Sequence, residues 1–499
     1  MKRKLLALVL VLATLVSMSS IAVAQAEEPL KLSAICALYS AAPAKDSDFW
    51  KWMEETYHVD YDVEWVASGS LSEKLGVLFS TGDIPDVVQV TSTTDPIVVN
   101  AINEGMFYDL TDLIGDYDNL AALSKNGWNN SAVNGRNYVL PRTRGQYNCT
   151  MYVRGDILDE MGVGVPVTIS EYVAYFRYLK ANYPDMIPVA MNMDQMIEFF
   201  QGAFGDGSRN PVYTEDGEGI LWYGLTDAYA SYIQWLADLY AEGLFGSEFV
   251  LYNQDTNSDL FLSGLTGIRY QNIWHYYRLD NALRQTPGLE KAYLKMALSV
   301  TSDDGKYISV NYDAGFYGGL LLNANLSEEK VRAILDFFNK TADPAMYNTF
   351  RYGIEGVHWN MVDNYPVATE KGAEEVTNSF YSPFVLATST YDKVISPLAD
   401  GAFNDSVIAN LADYDAQVAK INGVPLELFD VITSGTWSEN WGFQSEEFNA
   451  YVTETIQGQH SIDDLKAYQQ KIKDEDWAKE AFKEFAVSFT QHGLDEYMK

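Results

Sequence analysis

The stretch Asn134 to Asp156, NGRNYVLPRTRGQYNCTMYVRGD, constrains the fold most. Tyr138-Val139-Leu140 and Met151-Tyr152-Val153 are short β-branched and aromatic runs, and between them lies the polar, basic segment Pro141-Arg142-Thr143-Arg144-Gly145-Gln146. That pattern predicts strand, crossing, strand. Alternating strand and helix signals precede it and a fresh helical pattern follows, so this is where the chain leaves one α/β lobe and enters another. At 499 residues the chain is too long for one core and long enough for two or three. A crevice between lobes is the usual seat of a small ligand.

The opening supports a layered α/β lobe. Leu30 to Tyr39 is an apolar strand, a helix is expected from about Asp46 to Tyr57, and Tyr61 to Val66 alternates as a second strand. Ser70-Leu71-Ser72-Glu73 has capping-box spacing and opens a helix with Leu71, Leu75, Leu78 and Phe79 on one face, ending at Gly82. Ile84 to Val90 supplies a third strand, so the order is βαβαβ with a parallel sheet. Loops at the carboxyl edge of such a sheet collect ligands, which makes Tyr39, Gln89 and Ser92 candidates.

Past the crossing, Thr168-Ile169-Ser170-Glu171 is another capping box, and Asp227 to Gly243 reads as an amphipathic helix. Gly264 to Tyr270 reads as a strand, with Trp274, Tyr276 and Tyr277 directly after it. Val310 to Leu322, VNYDAGFYGGLLL, is a second crossing of the same kind, carrying Tyr317, and Ser327 caps the helix that follows. Both lobes are then discontinuous: residues 27–141 with 316–375 in the first, 142–315 with 376–499 in the second. The remainder is mostly helical, ending in the amphipathic stretch Ser461 to Phe489.

Residues 1–26 read as export machinery: Lys2-Arg3-Lys4 is a basic start, Leu5 to Val16 is nearly all apolar, and Ala22-Val23-Ala24 or Ala24-Gln25-Ala26 gives a small-x-small cleavage pattern. No later stretch approaches the roughly 18 apolar residues needed to cross a bilayer. Removing Lys2, Arg3 and Lys4 takes the formal charge from −35 to −38, which repels nucleic-acid phosphates and anionic lipid alike. The expected location is outside the cytoplasm, either a periplasm or the cell surface and medium. The two cysteines, Cys36 and Cys149, allow one bridge at most. Ile35 is bulky where a lipoprotein signal wants a small residue, so Cys36 reads as buried in a strand.

Signals for catalysis and metals are weak. With 69 acidic residues some carboxylate pair at hydrolase spacing is inevitable. His58, His275, His358, His460 and His492 show no metal spacing, and no G-x-S-x-G, P-loop or dinucleotide fingerprint occurs. Asp255-x-Asn257-x-Asp259 begins like a calcium loop but has Leu260 where the turn glycine belongs. No metal or other cofactor is expected. A surface adhesin would show repeats, and none is found.

Five motifs in order resemble one family. Thr81-Gly82-Asp83-Ile84-Pro85-Asp86-Val87, Asn103-Glu104-Gly105-Met106-Phe107-Tyr108-Asp109-Leu110, Val153-Arg154-Gly155-Asp156-Ile157-Leu158, Leu239-Tyr240-Ala241-Glu242-Gly243-Leu244-Phe245 and Tyr352-Gly353-Ile354-Glu355-Gly356-Val357-His358-Trp359 are similar to elements of the family 1 extracellular solute-binding proteins, in their large LplA-like branch. The resemblance implies a two-lobed, periplasmic-binding-protein-like (type II) α/β fold. Each lobe would be a mostly parallel sheet flanked by helices, with extra C-terminal helices. It implies capture of a carbohydrate, an oligosaccharide before a monosaccharide, by hinge closure, and delivery to the permease subunits of an ABC transporter. A monomer without enzymatic activity is expected. The missing lipidation cysteine departs from most Gram-positive members. The competing reading is a secreted glycosidase or lyase.

Sugar recognition needs flat apolar surfaces edged by hydrogen-bonding groups, and 14% of the residues are aromatic. The candidate ligand-binding residues are Tyr39, Gln89, Ser92, Arg142, Arg144, Tyr147, Trp274, Tyr317 and Trp359. Each has a bland alternative: core packing for Trp359 and Trp274, loop capping for Ser92. Arg142 and Arg144 would attract an anionic group such as a uronate, unless they merely balance nearby carboxylates.

Overall fold

The computed structural model describes residues 28–145, 149–310, 314–377, 379–388, 395–418 and 428–495. The export segment 1–26 therefore lies outside the described residues. The strands in chain order are β1 (Leu30–Leu38), β2 (Val59–Ala67), β3 (Val87–Val90), β4 (Val139–Thr143), β5 (Cys149–Arg154), β6 (Ile268–Asn272), β7 (Leu294–Ala297), β8 (Ser299–Thr301), β9 (Ile308–Val310), β10 (Phe316–Leu322), β11 (Trp359–Val362) and β12 (Tyr365–Ala368).

The first lobe is built on a five-stranded sheet in the order β2-β1-β3-β10-β4. β1 pairs in parallel with β2 and β3, while β10 is antiparallel to both β3 and β4. The carboxyl ends of β1, β3 and β4 therefore share one edge with the amino end of β10. Side chains alternate across β1: Ala34 and Cys36 face a core with Phe49, Trp50, Tyr61, Phe337, Phe350 and Phe384, and Ile35 and Ala37 face one with Leu71, Leu75, Phe79 and Val90. Helices cover both faces, which explains a strand that is apolar throughout. Phe380, Phe384, Val385 and Leu386 pack in this lobe's core, beyond the boundary at 375 expected from the sequence.

The second lobe has a smaller sheet, β6-β5-β7, together with the β8-β9 ladder. Both pairings of β5 are antiparallel, which corrects the expectation of a mostly parallel sheet in this lobe. β6 and β7 run back toward the crossing from which β5 departs. A run that is buried on both sides records no strand direction. Met151 and Val153 face Tyr172, Phe176, Phe199, Phe200 and Leu236, and the same core takes in Trp437, Phe448, Phe482 and Phe485 from the end of the chain.

Capping outcomes differ. Thr168 and Glu171 form the expected box at the head of helix Ile169–Asn182, and Ser327 caps helix Glu328–Thr341 through Lys330 N. Ser70 ends a short 3-10 turn and makes no capping bond, so its box is not formed. The amphipathic stretch Ser461 to Phe489 divides into Ile462–Asp474 and Asp476–Gln491, with extended Glu475 between them. Asp255, Asn257 and Asp259 lie in helix Gln254–Leu262 rather than in a loop. Cys36 and Cys149 are not joined in a disulfide, and Cys36 is buried in β1, where burial pushes its thiol up to about 12. Among the described residues no helix is long and apolar enough to cross a membrane, and no cluster of acidic, His or Cys side chains is placed to hold a metal.

Candidate ligand-binding seam

The edge at which β1, β3 and β4 end carries most of the predicted residues. Tyr39 follows β1, Arg142 and Arg144 lie at the end of β4, and Tyr317 is the second residue of β10. A register shift between Phe316 and Gly319 marks a bulge in β10. Gly318 makes it possible: its φ is +57°, and a Cβ there would sit 1.9 Å from the Val90 carbonyl oxygen.

Aromatic rings and guanidinium groups interleave along this edge. The Arg144 guanidinium lies over the Tyr317 ring at 4.1 Å and over the Trp274 ring at 5.1 Å. Trp274 follows β6 and packs against the second lobe's satellite core with Tyr276 and Phe403. Arg144 thus joins the lobes at their seam, held on a ring from each. Tyr39 and Tyr317 are 6.4 Å apart between ring centroids. Burial raises the Tyr39 phenol to about 12, even with Arg142 beside it. His275, next to Trp274, is kept neutral by burial and by Arg278 and Arg269, with its pKa lowered to about 4.

Passages between the lobes are tied together here. Arg144 N donates to Gly315 O at 2.9 Å, joining the first crossing to the second. The Thr143 hydroxyl donates to Leu386 O at 2.5 Å and accepts from Thr388 N at 3.1 Å, which fastens the first crossing to the last stretch of the first lobe.

The remaining candidates divide. Gln89 is fully buried at the same edge, where its Oε1 accepts from Ala37 N at 2.9 Å and finishes the β1–β3 pairing. Its Nε2 has no partner among the described residues. Ser92 is half-buried, shares a hydrogen bond with Thr94 Oγ1 and accepts from Thr94 N, as loop capping predicts. Trp359 is 4% exposed in the first core, with its indole N–H donating to Gly353 O at 2.6 Å. It packs in the core and does not line the seam. Tyr147 lies outside the described residues.

Arg351 and Tyr381 were missed from the sequence. Arg351 is at the end of helix Tyr347–Tyr352, its guanidinium 4.4 Å from the Tyr381 ring centroid and 5.3 Å from that of Tyr352. Arg142 stands over the same Tyr381 ring at 5.8 Å. Burial alone would raise the Tyr381 phenol, but Arg351, Arg142 and Arg144 outweigh it and bring it below its ordinary value. Ser379 Oγ accepts from Tyr39 N and Ser40 N at 2.9 and 3.1 Å, tying this segment to the end of β1.

Two lobes joined by several passages, with an aromatic and cationic seam between them, form the architecture of a ligand-capturing receptor. The chain belongs to the bacterial extracellular solute-binding proteins, whose family model matches residues 51–350. The family resemblance read from the five motifs is thereby borne out, and with it a place outside the cytoplasm. The chain is 26% identical over 344 residues to the polygalacturonan/rhamnogalacturonan-binding protein YtcQ of Bacillus subtilis (strain 168), covering 67% of this chain and 68% of that one. Among solved structures it shares its fold with the alginate-binding protein AlgQ2, at a TM-score of 0.65 and 15% identity over 93% of this chain and 98% of that one. The N-glycan transport solute-binding protein NgtS of Streptococcus pneumoniae gives 0.65 and 15% over 93% and 99%.

Proposed function

We propose that this solute-binding protein captures an oligosaccharide in the seam between its lobes and hands it, chemically unaltered, to the permease subunits of an ABC importer. The observation that carries the reading is the row Tyr39, Tyr317, Arg144 and Trp274, which offers flat apolar faces and fixed hydrogen-bond donors from both lobes. The glycan-binding descriptions of YtcQ, AlgQ2 and NgtS support it. Tyr39, Arg142, Arg144, Trp274 and Tyr317 would contact the sugar, with Gln89 and Ser92 behind them. Residues 27 to about 144 and 316 to about 386 would form one moving body, since β4 runs on to Thr143 in the first sheet, and the segment between them with the chain's end would form the other, acting as a monomer. Residues 1–26 would be removed on export, without a lipid anchor at Cys36.

Ligand acts in such a receptor by binding the closed arrangement more tightly than the open one. A glycan panel should therefore contain members that raise the melting temperature and give a calorimetric binding signal, with no release of reducing ends. A panel that gives no shift and no heat would overturn the proposal. Release of reducing ends would identify a secreted glycan-cleaving enzyme instead.

A further inference from the structure

The seam contains a cationic pair, Arg142 and Arg351, that no acidic side chain among the described residues neutralises. The chain has 69 acidic residues against 34 basic ones, and Arg136, Arg154, Arg177, Arg284 and Arg332 each hold a carboxylate. Arg142 and Arg351 do not: among the described residues no acidic side chain forms an ion pair with either. Both instead stand over the single ring of Tyr381, at 5.8 and 4.4 Å. Two half-buried cations on one ring repel each other in a medium of reduced dielectric, and the ring quadrupole offsets only part of that cost.

Part of the hydrogen-bonding capacity around the pair is also unfilled. Arg142 Nη1 and Ser382 Oγ, next in sequence to Tyr381, are buried atoms with no hydrogen-bond partner among the described residues, while the Tyr39 hydroxyl lies against Arg142 and Tyr317, and Tyr347 against Arg351. Buried donors of this kind are ordinarily satisfied, and an exception calls for an explanation. The lowered Tyr381 phenol is consistent with an excess of positive potential at this spot. A planar carboxylate matches the guanidinium fork and can accept from two arginines together.

We infer that Arg142 and Arg351, positioned on Tyr381, form a carboxylate subsite, so that the captured glycan carries a uronic acid unit whose charge completes the pair. The inference rests on the sugar-capture reading and adds the chemical class of the sugar. Binding would follow carboxylate content, and would weaken as salt screens the pair.

The test is titration calorimetry on the full-length mature protein with trimeric uronates, oligogalacturonate and oligomannuronate, each beside its methyl ester, and with a neutral trimer of the same length. The expected result is that at least one free acid binds tenfold or more tighter than its ester. That preference should collapse to within about twofold in Arg351→Gln and Arg142→Gln, and be partly kept in Arg351→Lys. Circular dichroism and thermal melts of the variants confirm that they fold. Binding of acid and ester with equal affinity, or of the neutral trimer alone, overturns the subsite and leaves sugar capture standing. A sulfated oligosaccharide binding where every uronate fails would also overturn it. A silent response to all glycans refutes both readings.

Discussion

The two lobes meet at one seam but bring different chemistry to it. The first supplies Arg142, Arg144 and Arg351, seated on Tyr317 and Tyr381, from the edge of a five-stranded sheet. The second supplies Trp274, which follows an edge strand of a three-stranded sheet. Their interiors differ as well. In the first, phenylalanines cluster about Phe384, which lies 4.8 Å from Phe350 and 6.1 Å from each of Phe49, Trp50 and Tyr61. In the second, tryptophans cluster, with Trp437 and Trp441 stacked at 4.6 Å and Trp222 tilted against Trp441 at 4.5 Å. The contrast places Arg142, Arg144 and Arg351 on the first lobe's side of the seam and the Trp274 ring on the second's.

The largest effect that could break this comparison is in the cores. Phe384→Ala should cost about 3–5 kcal/mol of first-lobe stability, the usual penalty for a buried ring. Phe448→Ala should cost a similar amount in the second lobe. If the lobes are separate bodies, each variant shifts a different phase of urea unfolding, followed by tryptophan fluorescence and circular dichroism. A single transition displaced equally by both would show that they unfold as one.

The tryptophans sharpen the comparison at the seam. Trp274→Ala should weaken sugar binding by about 1–2 kcal/mol, or about 5- to 30-fold, with little loss of stability. Trp359→Ala should do the reverse, costing about 3–5 kcal/mol of stability and leaving calorimetric affinity unchanged well below the melting temperature. Exchanged outcomes would place Trp359 against the ligand and Trp274 in a supporting role.

The smallest contrast is between two helix starts. Thr168→Ala removes a formed cap and should cost about 1 kcal/mol by urea unfolding. Ser70→Ala removes a hydroxyl that caps nothing and should be close to neutral. Equal losses would mean that Ser70 caps its helix in solution.

These pairs also show what the sequence could reveal. The βαβαβ opening, the crossings at Arg142–Arg144 and near Tyr317, and the helix heads at Thr168 and Ser327 were legible because each depends on local pattern. Ser70 has the same spacing as Thr168, but a 3-10 turn precedes it and carries its side chain out of reach. The antiparallel β6 and β7 were not legible, because pairing partners far apart in sequence are chosen by tertiary packing. For the candidate site, position at a strand end pointed to Tyr39, Arg144 and Tyr317. Motif membership misled for Trp359, since it is blind to the 2.6 Å indole bond that anchors the ring inward. Arg351 and Tyr381 come from segments remote from both crossings, and only the fold brings them beside Arg142.

Leu32 and Leu386 share one core, and Met151 shares the other with Phe489. A chain delivered amino end first thus cannot complete its first lobe until Leu386 has emerged, nor its second until nearly the last helix has followed. Neither half can ripen alone while the rest is still being made, which leaves long apolar strands such as β1 waiting for partners. Premature association would be the characteristic failure of this molecule, and a strongly negative surface is one means of keeping such half-finished chains apart.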